Sequence, residues 1–317
     1  MLGLLVALFG STTFFQPSFR DTGNLSSIMR WVGLYGIISI GVAFVIITGG
    51  IDLSIGSLIA LAGVMTPMLL VKGEPFFNSP VGVPVAFAIV LGISLLIGLF
   101  HGIMVTKLKI QPFLVTLCGL FIYRGLARAA GNDQTQGFGG QYQWLKDALV
   151  KQKIFEIVPM SFLVMIVIGV VAAIVLNKTV FGRYLLAIGH NEDAARFSGI
   201  KTDRMKIAAY MICSLLGGFG GILFVLDTNG ATPSSFGNFY ELYAIAGAVL
   251  GGCSLRGGEG AIFGVICGAA LVQVSEKAVF FLGVEEEWKF AVIGTFILVG
   301  VVADELFRRW NEKRRRL

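Results

Sequence analysis

The chain reads as blocks of about twenty apolar residues separated by short polar stretches. A helix rises 1.5 Å per residue, so about 20 residues cross the ~30 Å hydrocarbon core of a bilayer. Ten such blocks lie near 1–15, 28–48, 54–72, 82–106, 111–130, 157–177, 204–227, 240–252, 260–282 and 288–308. The first and the eighth are short for a full crossing. The N-terminal block has no basic leader and no small-residue cleavage site, so it reads as a first span and not as a signal peptide. The pattern predicts an all-α polytopic membrane protein with about ten transmembrane helices. It forms a single transmembrane domain over residues 1–317, built of two related halves with interrupted helices.

The interruptions carry the first candidate chemistry. Blocks two and three are joined by VIITGGIDLSIGS, residues 45–57. A carboxylate at bilayer depth costs about 2.5–3.5 kcal/mol on insertion scales. Broken helix is tolerated there only where protein buries it or water reaches it. Two readings fit. One is a tight turn between ordinary helices, with Asp52 as the cap of the second. The other is a pathway or hinge element shaped by Gly49, Gly50, Asp52 and Ser54. The segment GGIDLSIG at 49–56 is echoed by GGCSLRGG at 251–258, both fitting G-G-x-[DS]-L-x-x-G, which adds Gly251, Gly252 and Ser254. Matched interruptions in two halves point to a transporter's core. Chance likeness of two glycine-rich turns, in a chain with 42 glycines, is the competing explanation. Glu241 opens the eighth block, either as a first-turn acid facing outside or as a pathway-lining group.

Composition narrows the class. Of 317 residues, 56% are hydrophobic and 14% charged, with a mean hydropathy of +0.82; soluble domains carry about 25% charged residues. The net charge of +6 is gathered at Lys107 and Lys109, between Lys178 and Lys206, and in the tail from Arg308 to Arg316. An even number of spans puts all three on one side, which the positive-inside rule makes cytoplasmic together with both termini. The other side receives 73–81, 131–156, 228–239 and 283–287, the last with Glu285, Glu286 and Glu287. The basic balance therefore belongs to membrane flanks and not to nucleic acid. Arg124 and Arg128 read as side chains snorkelling outward from the fifth block, and His101 as a satisfied packing residue.

Other chemistry is sparse. The four cysteines sit at wide spacing in or beside apolar runs with no CxxC pair, and there are only two histidines, His101 and His190. There is no GxxxxGK[ST], no HExxH and no Ser/His/Asp arrangement. An enzyme with its own ATPase site, or with a metal or cofactor bound by this chain, has no basis here. What remains is the polar loop 182–206, GRYLLAIGHNEDAARFSGIKTDRMK. Asn191 suits an N-cap, Glu192 and Asp193 suit the first turn, and Gly199 suits the end of a short helix. Ala194, Ala195 and Phe197 leave a small flat surface. From its residues alone this is either a positive-inside loop with a helical turn or a seat for another protein.

Three stretches in this order resemble one family. The loop pattern G-R-x-x-x-A-x-G-x-N-x-x-A-A-R-x-S-G-I is similar to that of the permease family of bacterial ABC importers for ribose, xylose, galactose and similar sugars, which also has an autoinducer-2 branch. TGGIDLSIGS from Thr48 to Ser57, and YELYAIAGAVLGGCSLRGGEG from Tyr240 to Gly260, resemble its other two signatures. The resemblance covers essentially the whole chain. His190 departs from it, since glycine is common at that position, and the N-terminus is shorter than the family's.

The resemblance implies a transport subunit in the bacterial inner membrane that moves a monosaccharide or similar small polar solute by alternating access. It implies a separate cytoplasmic ABC ATPase using ATP and Mg, a periplasmic or lipid-anchored sugar-binding protein, and a second permease copy or paralogue, all in a lipid setting. Coupling to the ATPase then falls to Gly189, His190, Asn191, Glu192, Ala194, Ala195, Arg196 and Gly199. The gate falls to Gly49, Gly50, Asp52, Ser54, Glu241, Gly251, Gly252 and Ser254. An ion-coupled secondary transporter with two repeats, or a membrane scaffold without solute flux, are the rival readings.

Overall fold

Residues 2–281 are described by a computed structural model, with isolated positions at 283, 288, 291, 294, 295, 298 and 302. In chain order the helices are α1 (Leu2–Phe15), α2 (Thr22–Ile47), α3 (Ile55–Pro67), α4 (Val83–Thr106), α5 (Pro112–Ala130) and α6 (Gln143–Lys146). Next come α7 (Met160–Lys178), α8 (Val180–His190), α9 (Glu192–Phe197), α10 (Thr202–Thr228), α11 (Tyr240–Leu250) and α12 (Ile262–Phe281). Two small antiparallel pairs of strands complete the described residues. β1 (Gln136–Gly137) pairs with β4 (Gly230–Ala231), and β2 (Lys153–Ile154) with β3 (Val158–Pro159). Nine of the ten apolar blocks are therefore helices. The tenth, 288–308, lies almost wholly outside the described residues, as do Glu285–Glu287 and the basic tail.

Seven of these segments are long and apolar enough to cross a membrane. The run α3 does so by continuing past Pro67 into a π-helical turn, Met68–Lys72, where the missing proline N–H shifts the hydrogen-bond pattern. The bundle is layered. α2 and α3 are almost entirely buried, α10 and α12 largely so, while α4, α5 and α7 expose most of their surface. That surface is apolar, with Leu96, Phe121, Val167 and Val170 outward, as lipid contact requires. Inside, α10 packs along α4, α2 and α3. The close approach of α10 to α4 rests on small residues, the usual means of helix association in lipid.

The two ends of the bundle are distinct. One face holds β1 paired with β4, Lys72 donating to Gln136 at 3.3 Å, and the ion pair Arg30–Asp227 at 2.8 Å. The other holds Lys107–Asp203 at 2.6 Å and the loop containing α8 and α9. Segments 73–81, 131–156 and 228–239 fall on the first face, and 107–111 and 178–206 on the second, which is the alternation the charge pattern predicts.

The short eighth block has a structural reason. After β4, residues 232–239 run down into the bundle as consecutive turns, with the Phe236 N–H reaching the Thr232 carbonyl at 2.8 Å but no continuous helix. The ring of Phe236 lies against Gly63, while Gly237 and Glu241 lie against Gly56, two turns nearer the start of α3. Arg124 holds this segment by donating to the carbonyls of Pro233 at 3.0 Å and Phe236 at 2.6 Å. Arg124 therefore does not snorkel outward as its place in the sequence suggests: it satisfies backbone that has left its helix. Arg128 does turn outward, exposed and paired with Asp133 at 2.7 Å. With irregular backbone buried in protein, α11 starts part-way through the bundle. It is a half-helix of 11 residues, about 16 Å long at 1.5 Å per residue.

Candidate functional site: two broken elements and the loop that joins them

The first break begins where α2 ends. Gly49, at φ +77°, takes the left-handed position after the helix, and Gly50 returns its N–H to the Val45 carbonyl at 3.1 Å. Asp52 is fully buried. Its Oδ1 accepts the Ser54 N–H at 2.9 Å and the Ser54 hydroxyl at 2.7 Å. This corrects the expected cap. Ser54, not Asp52, is the residue that precedes α3, and Asp52 forms a turn two residues earlier. The second oxygen, Oδ2, faces Cys213 Sγ at 3.7 Å and His101 Nδ1 at 3.9 Å. His101 Nε2 is 2.8 Å from the Tyr123 hydroxyl. The Tyr210 hydroxyl lies against Gly50, where a β-carbon would meet it at 2.7 Å.

Thus α4, α5 and α10 each send polar side chains toward the break. Asp52 and His101 are both wholly inaccessible, so neither faces an open pathway in this conformation. His101 is only half satisfied, since its Nδ1 has no hydrogen-bond partner among the described residues. Sequence reading missed this cluster. The available signal was that His101 is an ionisable group inside an apolar block, as Asp52 is beside one.

The second break repeats the local chemistry. α11 stops at Leu250, and Gly252 at φ +92° takes the left-handed position. Ser254 Oγ accepts the Arg256 N–H at 3.3 Å, two residues on, as Asp52 does from Ser54. The two motifs therefore share a turn at the same motif position. Beyond the turn they diverge. α3 starts directly after the first turn, whereas the second continues through Gly257 and Gly258, both at positive φ, before α12 begins at Ile262.

The loop folds as its residues suggest. Asn191 Oδ1 accepts the Ala194 N–H at 2.9 Å, Glu192 and Asp193 occupy the first turn of α9, and Gly199 follows its end at φ +85°. Lys206 to Glu192 at 2.7 Å and Arg196 to Asp203 at 3.8 Å tie α9 to the start of α10, and Arg196 to Glu192 at 3.2 Å closes a pair within α9. Solvent-screened pairs of this kind, with side chains 14–51% exposed, contribute about 0–1 kcal/mol each, so they orient the loop more than they stabilise it. Ala194 is exposed and Phe197 is 92% exposed, but Ala195 is buried. The flat surface expected from Ala194, Ala195 and Phe197 is therefore reduced to Ala194 and Phe197.

The tertiary fold brings all three motifs to one point. Gly258 donates its N–H to the carbonyl of Ile47, the last residue of α2, at 2.8 Å. Gly189, near the end of α8, lies on that same pair, and a β-carbon there would overlap both the Ile47 carbonyl and the Gly258 nitrogen. Gly257 packs on the backbone of Gly49 and Gly189, at 2.8 and 2.9 Å from where its β-carbon would stand. His190 lies against Gly258. The loop thus touches both interrupted segments backbone to backbone. Glu241 is elsewhere, buried in the first turn of α11 with its carboxylate against Gly56 of α3. It links the half-helix to the helix beyond the first break.

Apolar crossings around two broken elements, with a capped polar loop locked to both, define a membrane permease. The chain belongs to the family described as the branched-chain amino acid transport system / permease component, matched over residues 24–301. Among its relatives are sugar permeases. The ribose import permease protein of Bacillus subtilis is 35% identical over 307 residues, covering 96% of this chain and 91% of the relative. That of Escherichia coli K12 is 33% identical, covering 95% and 91%. The galactose/methyl galactoside import permease protein of Salmonella typhimurium is 32% identical, covering 96% and 92%. No solved structure matches the chain.

Proposed function

We propose that this chain is the transmembrane subunit of an ATP-driven importer that carries a monosaccharide into the bacterial cytoplasm by alternating access. The relatives that import ribose and galactose support the solute class. The single observation that carries the mechanism is the junction of Gly189, Ile47 and Gly258. A partner ABC ATPase, which binds ATP and Mg, seats on α9 at Ala194 and Phe197. Movement of α9 passes through Gly189 and His190 directly to the end of α2 and to the loop between α11 and α12. Two-state packing elements of this kind convert small displacements into a switch. The face carrying Lys107 and 178–206 is cytoplasmic, the N- and C-termini lie there, and a periplasmic or lipid-anchored sugar-binding protein docks on the face of β1 and β4. A second copy or a paralogue completes the pathway.

The test is reconstitution with ATPase and binding protein. Sugar uptake that requires ATP and both partners, without an ion gradient, is the expected result. Uptake driven by an ion gradient with neither partner present sinks the reading and leaves a secondary transporter.

A further inference from the structure

On the face that carries β1 and β4, the bundle holds a cavity of about 340 Å³ beside the start of the half-helix α11. Trp31 and Tyr35 of α2, Tyr240 and Tyr243 of α11, and Gln273 and Glu276 of α12 wall it. Its rings are held from behind. Phe224 of α10 is fully buried, with its ring centroid 4.7 Å from that of Tyr240 and 5.2 Å from that of Tyr35. Arg30 stands 5.7 Å from the centre of the Trp31 ring and is itself fixed by Asp227 at 2.8 Å. Gln273 is 3% exposed, and its Nε2 has no hydrogen-bond partner among the described residues. Buried donors are almost always paired, so an unpaired amide on the wall of a cavity is a position an acceptor fills.

We propose that this cavity is a binding site, on the permease itself, for one hydroxylated ring in transit: a monosaccharide in its cyclic form. The solute class rests on the importer reading above. The volume lies at the small end of the ~300–1,000 Å³ range of small-molecule sites. A cyclic sugar has an apolar C–H face, which suits aromatic walls, and an edge of hydroxyls that both donate and accept. The Gln273 amide offers a donor, the Glu276 carboxylate accepts, and the tyrosine hydroxyls do either. Lys277 lines the same wall, so the formal charges of the lining side chains sum to zero, which suits a neutral solute. A purely aliphatic solute leaves the Gln273 donor unpaired.

The test keeps the ATPase and binding protein constant and varies only the permease. Cells with the whole importer are given a labelled monosaccharide, its series of deoxy-analogues, and L-leucine. Gln273→Leu should lower uptake of the parent sugar roughly 2–12-fold, the range for one neutral hydrogen bond. For the one deoxy-analogue lacking the hydroxyl that Gln273 meets, variant and wild type should be equal. Gln273→Asn and Tyr243→Phe, with membrane yield measured alongside, keep the test valid if Gln273→Leu folds poorly. Equal losses on every analogue, or no loss with any variant, overturn the cavity assignment and leave the importer reading standing. A wild type that carries L-leucine and no sugar overturns both.

Discussion

Gly189→Ala is the sharpest probe of the junction. Glycine in a helix interior is unfavourable by roughly 0.5–1 kcal/mol against alanine, so helix propensity alone favours the substitution. Packing opposes it. The new β-carbon would overlap the Ile47 carbonyl and the Gly258 nitrogen and stand 2.8 Å from Gly258 Cα. All three are backbone, so no rotamer change relieves the overlap. Overpacking of this kind costs about 1–3 kcal/mol, and separating Gly258 from Ile47 leaves a buried donor and acceptor unpaired, about 1–3 kcal/mol more. The net effect is roughly 1–5 kcal/mol against the packed junction. Gly92→Ala is the control, because nothing lies within 4 Å of a β-carbon there. In detergent, Gly189→Ala should lower Tm and Gly92→Ala should not. In proteoliposomes with the partners, Gly189→Ala should hydrolyse ATP while importing less solute per ATP. Wild-type values for both Tm and solute per ATP would refute the backbone-to-backbone route.

The same geometry predicts other outcomes. Asp52→Asn keeps an acceptor for the Ser54 N–H but puts an amide NH2 in place of the oxygen facing His101 and Cys213, so transport should fall while expression holds; unchanged uptake would make Asp52 a turn former only. Asp52→Ala also forfeits the two bonds from Ser54, about 0.5–1.5 kcal/mol each, and should lower Tm as well. Ala194→Glu, on the exposed side of α9, should uncouple ATP hydrolysis from uptake with normal membrane insertion, whereas Ala195→Glu, which buries a charge, should reduce yield. Arg124→Met frees the carbonyls of Pro233 and Phe236, and an engineered cysteine at Ser235 should then react faster with an impermeant maleimide; an unchanged labelling rate would show that Arg124 does not hold the segment.

Much of this protein is legible along the chain because lipid imposes it. A backbone that must satisfy its own hydrogen bonds across ~30 Å becomes a long apolar helix, and such helices read as blocks. Local polar chemistry is legible too. Asn191 caps α9 and Gly199 follows it, as their places in the loop suggest; Asp52 read as the cap of α3, although its bonds close on Ser54, two residues on and still before the helix. The positions of the basic segments determined which loops share a face.

Facing relationships were not legible. The central helices are apolar all round, so no periodic stripe tells which side of α2 or α10 meets which neighbour. For that reason His101, Tyr123 and Tyr210 read as isolated residues until α4, α5 and α10 closed on Asp52. Arg124 read as a snorkelling side chain because the unwound 232–239 segment it serves lies more than a hundred residues away. Ala195 read as surface because burial on a short helix depends on what packs beneath it. The motifs at Gly49, Gly189 and Gly258 were each visible by themselves. That they touch one another was decided only by tertiary packing, since a backbone contact between segments some seventy to two hundred residues apart leaves no trace in either segment except the absence of a side chain.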